Sequence, residues 1–130
     1  MGSAVEVTEK NFRETVEQGG IVLLDFWAPW CGPCRSFAPV FEKVASENPD
    51  ITFGKVNTEE ETELAGAFEI RSIPTLMVFR DRVLLYSQPG ALPADGLKDI
   101  VRQARAVDME KVRAEIAAQA SKPGAGTAQA

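Results

Sequence analysis

Cys31 and Cys34 are the only cysteines in the chain, and they stand two residues apart within Trp30-Cys31-Gly32-Pro33-Cys34. A pair so spaced, with an apolar stretch before it and a helical pattern after it, makes a reversible dithiol/disulfide. Zinc binding is the competing use, but it normally takes four thiolate or imidazole ligands. With 2 Cys and no His, one copy of this chain cannot provide them. Nor is the pair a useful staple. Its ring is so small that the bond would stabilise the fold by roughly 2 kcal/mol, against about 3 for a 15-residue loop. A helix N-terminus suits chemistry better, because unpaired N–H groups and the positive dipole end favour a thiolate. Cys31, the more N-terminal and more exposed cysteine on this reading, attacks a substrate disulfide, and Cys34, one turn deeper, resolves the mixed disulfide. Gly32 leaves room for a partner chain, and Pro33 fits a first helical turn.

Asp25 is the second informative residue. It interrupts the apolar run Ile21–Trp27, where a carboxylate is costly and burial raises its pKa. Two readings stand: a general acid or base serving Cys34, or a carboxylate at the strand end that caps a turn. Closeness in sequence to the cysteines favours the first. Trp30, beside Cys31 and outside the apolar run, is the better substrate-facing candidate, whereas Trp27 packs.

The elements that must position these residues follow from periodicity. Val5–Val7 reads as an edge strand, and Thr8 as the N-cap of a helix carrying Phe12 and Val16, which Gly19-Gly20 stops. Ile21–Trp27 is too short for an independent helix and fits a central strand covered on both faces. Phe37, Val40, Phe41, Val44 and Ala45 recur at helical spacing, so a helix starts at the cysteines, with a kink expected at Pro39. Ile51–Asn57 alternates like a strand, with Ile51, Phe53 and Lys55 on one side. Glu59-Glu60-Glu61 introduces a short helix to Phe68, and the acidic run reads as a solvated helix start rather than a metal site. Strands Thr75–Phe79 and Val83–Tyr86 form a hairpin through Asp81-Arg82, which Pro89-Gly90 ends. A helix from about Pro93 carries Leu97, Ile100, Val101 and Ala104. The order β-α-β-α-β-α-β-β-α predicts an α/β fold with a mixed central sheet flanked by helices.

After Val107 the helical spacing resumes at Met109, Val112 and Ile116 with a rotated stripe, so either the last helix kinks or a second helix begins. Residues 1–106 read as one domain, 107–120 as a helical extension, and 121–130, which has no core-forming residue, as a disordered tail. The chain has 130 residues, 14 Lys and Arg, and 19 Asp and Glu, a net charge of −5. That balance argues against nucleic-acid binding. No apolar run of about 18 residues is present to span a membrane, and the N-terminus lacks the pattern of a secretion signal. A cytoplasmic monomer is expected.

The run Phe26-Trp27-Ala28-Pro29-Trp30-Cys31-Gly32-Pro33-Cys34-Arg35 resembles the active-site signature of thioredoxins. Asp25, Lys55-Val56-Asn57, Ile73-Pro74-Thr75 and Gly90-Ala91-Leu92 match at the expected distances, so the resemblance covers about Val5 to Arg105. It implies the thioredoxin fold and a protein-disulfide reductase in which Cys31 attacks and Cys34 resolves. Asp25 is then the buried proton-transfer carboxylate, tuned by Lys55. Pro74 becomes a cis-proline facing the disulfide, although an X–Pro bond judged locally is cis only ~5% of the time. Trp30, Gly32, Pro33, Ile73, Pro74, Gly90 and Ala91 form the shallow surface where extended substrates dock. The resemblance further implies no bound cofactor, with electrons passing from NADPH through a flavoprotein partner, thioredoxin reductase, to disulfide-containing proteins. The Gly-Pro spacer resembles reductase-type members; oxidants and isomerases of this fold usually carry a histidine there. Asp81-Arg82 and Pro89 depart from the usual family residues, at the hairpin turn and the substrate rim. A second reading of the same surface is a binding module, using Trp30, Pro74, Gly90 and the helix after Val107, whose redox pair is incidental.

Overall fold

The computed structural model describes residues 3–120, so the tail expected over 121–130 lies outside the described residues. The elements are β1 (Val5–Glu6), α1 (Phe12–Glu17), β2 (Ile21–Trp27), α2 (Gly32–Glu47), β3 (Thr52–Asn57), α3 (Thr62–Ala67), β4 (Thr75–Arg80), β5 (Val83–Pro89), α4 (Ala94–Ala106) and α5 (Met109–Ala120). The strands form one sheet in the order β1-β3-β2-β4-β5. β1, β3 and β2 run parallel, while β4 and β5 are antiparallel to their neighbours. The expected mixed α/β sheet is therefore present, with β2 at its centre.

Alternation along β2 divides the core into two layers. Val22, Leu24 and Phe26 face the layer that holds Val16 of α1 and Leu64 of α3. Leu23 faces the layer built by Phe37, Phe41 and Val44 of α2 and Leu97 and Val101 of α4. Asp25 shares the parity of Leu23, so the fold turns its side chain toward the α2 side. Gly54 of β3 marks a close approach: a Cβ there would meet Val7 Cγ2 at 2.5 Å and Leu24 Cδ2 at 2.9 Å. Gly54→Ala should therefore destabilise the fold by about 1–3 kcal/mol through overpacking. A urea denaturation midpoint equal to the parent's would show that Val7 and Leu24 yield freely.

Several boundaries differ from expectation for local reasons. Thr8 does not cap α1. Asn11 occupies the N-cap position, and its side-chain oxygen accepts from the Thr8 N–H at 2.8 Å. Helix α2 continues on both sides of Pro39, where the kink is expected, since packing of Phe37, Phe41 and Val44 outweighs the one missing donor. The β4–β5 turn keeps positive φ at Asp81 (50°) and Arg82 (72°), the geometry of a two-residue type I′ hairpin. Asp81 is held there by two hydrogen bonds, its N–H donating to the Gly20 carbonyl and its Oδ1 accepting from the Gly20 N–H. Glu59 and Glu60 are exposed just before α3, while Glu61 accepts from the Glu9 N–H and Glu9 from the Glu63 N–H, clasping α3 to the segment after β1.

α4 and α5 are separate helices, because Val107 is extended at φ −63°, ψ 134°. Arg80 fixes that break: its Nη1 donates to the carbonyls of Ala104 (2.9 Å), Arg105 (3.2 Å) and Val107 (2.7 Å). Met109 is buried while Ile116 is half-exposed, so α5 touches the body of the protein mainly at its start.

Candidate active site

The strand-to-helix turn after β2 carries the cysteines. Cys31 is the N-cap residue of α2 and Pro33 sits in the first turn. Cys31 and Cys34 are joined by a disulfide, with Cα atoms 5.2 Å apart. The Cys34 N–H donates to Cys31 Sγ at 3.2 Å, so an unpaired donor of the helix start points at that sulfur. This is the local field that favours a thiolate once the bond is reduced.

The exposure expected of Cys31 is absent: it is 4% exposed and Cys34 2%. Both pack with Ala28, and Trp27 and Ile73 lie against them. Sequence spacing held no sign of this, because part of the cover comes from a segment far along the chain. Cys31 Sγ lies 3.8 Å from the Ile73 carbonyl oxygen.

Asp25 lies in the middle of β2, opposite Lys55 on one side and Leu76 on the other. It is fully buried, and neither carboxylate oxygen has a hydrogen-bond partner. Burial therefore pushes its pKa up from 3.8 to about 7, against a smaller opposing pull from the positive charge of Lys55. The alternative of a strand-end carboxylate capping a turn is overturned. Lys55 does not ion-pair with Asp25; its ammonium stands 4.6 Å from the centroid of the Trp27 ring, a cation–π contact. Its influence on Asp25 is thus a field effect across the sheet register.

Of the remaining expected residues, Ile73 packs against the cysteines. The Ile73–Pro74 bond is cis, and the Gly90 N–H donates to the Pro74 carbonyl at 2.8 Å. Gly90 holds φ at 111°, where a side chain would be strained. Gly32, Pro33, Gly90 and Ala91 are exposed, Ile73 is half-buried and Pro74 is buried, so Pro74 lies beneath the rim rather than on it. Trp30 is 66% exposed. A Cβ at Gly32 would meet nothing within 4 Å. Residue-type reasoning passed over Arg35, whose Nη1 donates to the Pro29 carbonyl at 2.9 Å. A guanidinium four residues past a helix N-cap was the available signal. Among the described residues, no group of three or more His, Cys, Asp or Glu could hold a metal ion, and no helix is long and apolar enough to cross a membrane.

Comparison with known proteins agrees with this geometry. The thioredoxin family model matches residues 3–103. A putative thioredoxin 2 of Streptomyces coelicolor is 54% identical over 124 residues, covering 95% of this chain and 92% of that protein. Thioredoxin 1 of Synechococcus elongatus is 46% identical, covering 72% of this chain and 89% of its own. Among solved structures, spinach chloroplast thioredoxin f superposes with a TM-score of 0.73 at 32% identity, covering 81% of this chain and 96% of that one. A mutant thioredoxin from Halobacterium salinarum gives 0.75 at 29% identity, covering 82% and 96%. The chain belongs to the thioredoxin family, thiol-disulfide oxidoreductases that act on disulfide-containing substrates.

Proposed function

We propose that this protein is a protein-disulfide reductase with two-electron chemistry at Cys31 and Cys34. The observation that carries the reading is the Cys31–Cys34 disulfide at the N-terminus of α2. In the reduced protein the Cys31 thiolate attacks a substrate disulfide, forming a mixed disulfide and releasing one substrate thiolate. The Cys34 thiol gives its proton to the Asp25 carboxylate and attacks Cys31 Sγ, which expels the second substrate sulfur as a thiolate. The substrate gains two electrons and the Cys31–Cys34 bond re-forms. The raised pKa of Asp25 suits a group that takes and returns a proton near neutrality.

Extended substrates dock on Trp30, Gly32, Pro33, Ile73, Gly90 and Ala91, with Pro74 supporting them from beneath. Lys55 tunes Asp25 through its charge. The protein works as a cytoplasmic monomer, recharged by thioredoxin reductase with electrons from NADPH. Residues 1–106 form the catalytic domain and 107–120 a helical extension. The direction of electron flow is tested by the reduction potential against glutathione. Thioredoxins themselves lie at about −270 mV and the strong periplasmic oxidants at about −120 mV, a difference of roughly 7 kcal/mol. A value near the first is expected; one near the second overturns the reductase reading.

A further inference from the structure

We infer that Arg35 is a positioning residue for substrate docking, acting through the Pro29–Trp30 segment. β2 ends at Trp27 and α2 begins at Gly32, so Ala28–Cys31 belongs to neither ladder. Pro29 and Trp30 are both exposed, so packing does little to hold them. Two hydrogen bonds close the turn. The Cys31 N–H donates to the Ala28 carbonyl at 3.2 Å, and Arg35 Nη1 to the Pro29 carbonyl at 2.9 Å. Arg35 also donates its backbone N–H to the Cys31 carbonyl at 3.1 Å. That backbone bond is the ordinary helical one, so the side chain's own contribution is the bond to the Pro29 carbonyl, which ties the residue before Trp30 to the start of α2. A charge-assisted bond of this kind is stronger than a neutral one. Without it Trp30 samples more conformations, and a docking substrate must freeze them.

The inference rests on the docking role of Trp30 proposed above. The test is steady-state reduction of a disulfide-containing protein, insulin, by the full chain. Arg35→Ala should raise KM by about three- to tenfold, the range for loss of one hydrogen bond, while kcat moves less than about twofold. Arg35→Met keeps the aliphatic stem and should match Arg35→Ala. Arg35→Lys keeps a cationic donor and should restore most of the loss. In a Trp30→Ala background Arg35→Ala should add less than about twofold, because the two act as one unit. An unchanged KM in Arg35→Ala, a loss confined to kcat, or full multiplication of the two effects overturns the role of Arg35. If Trp30→Ala itself leaves KM unchanged, the docking role of Trp30 fails and this inference fails with it.

Discussion

Cys31→Ser should abolish insulin reduction, lowering turnover by at least about 10³-fold, whereas Cys34→Ser should leave a single attack intact. The serine hydroxyl does not ionise near neutrality, and the donors at the start of α2 that favour a thiolate cannot make it a comparable nucleophile. In Cys34→Ser the mixed disulfide forms on Cys31 and has no resolving thiol. Substrate accumulates covalently, one molecule per protein, and is seen as an adduct by mass spectrometry under non-reducing conditions. The two variants thus separate attack from resolution. Trapping on Cys34 in a Cys31→Ser protein at the parent's rate would reverse the assignment. Full turnover in Cys31→Ser would remove the reductase reading and leave a binding module.

The residues that do this chemistry were legible in the sequence to different depths. Asp25 stood out because a carboxylate inside an apolar run has few inexpensive fates, and the β2 register gives it the costly one, buried and unpartnered. The cysteine spacing named the reaction for a similar reason, since few two-residue patterns carry so much chemistry. Strand alternation gives Lys55 only a shared face with Ile51 and Phe53, the family resemblance sets it beside Asp25, and its cation–π seat on Trp27 depends on two strands meeting side by side. The burial of Cys31 was out of reach for the same reason, because Ile73 arrives from the far end of the fold. Errors at element ends had another origin: Thr8 and Asn11 are both good caps, and the decision rests on which carbonyls and N–H groups the turn leaves open. The break at Val107 left only a rotated stripe in the sequence, and its cause, Arg80, sits on β4. Periodicity reads elements well, but it cannot see a side chain from one element that caps another.

Asp25→Asn should stabilise the oxidised protein at pH 8 and slow its chemistry, two effects of one carboxylate. Asp25 has a folded pKa of about 7 against an ordinary value of 3.8, so the folded state holds a proton that the unfolded chain has released throughout that window. The folded state binds more protons, and stability therefore falls as pH rises from about 4 to 7, then levels off. A shift of about three units corresponds to at most about 4 kcal/mol. Asparagine has the same shape and no charge, and like the protonated acid it is unpartnered. Parent and variant should thus melt together near pH 4 and separate on alkaline titration, by on the order of 10 °C at pH 8. Equal melting temperatures at pH 8 would mean that Asp25 carries no uncompensated charge in the folded protein. The functional half uses a mixed disulfide preformed on Cys31, from which resolution by Cys34 is timed. Loss of the base should slow release by roughly tenfold to 10²-fold, the low end of what a positioned proton acceptor contributes. The parent's rate should rise with pH through about 7, and the variant's should lack that step. A merely structural carboxylate would change the melting curve and leave the resolution profile alone; identical profiles from pH 6 to 9 would reduce Asp25 to that.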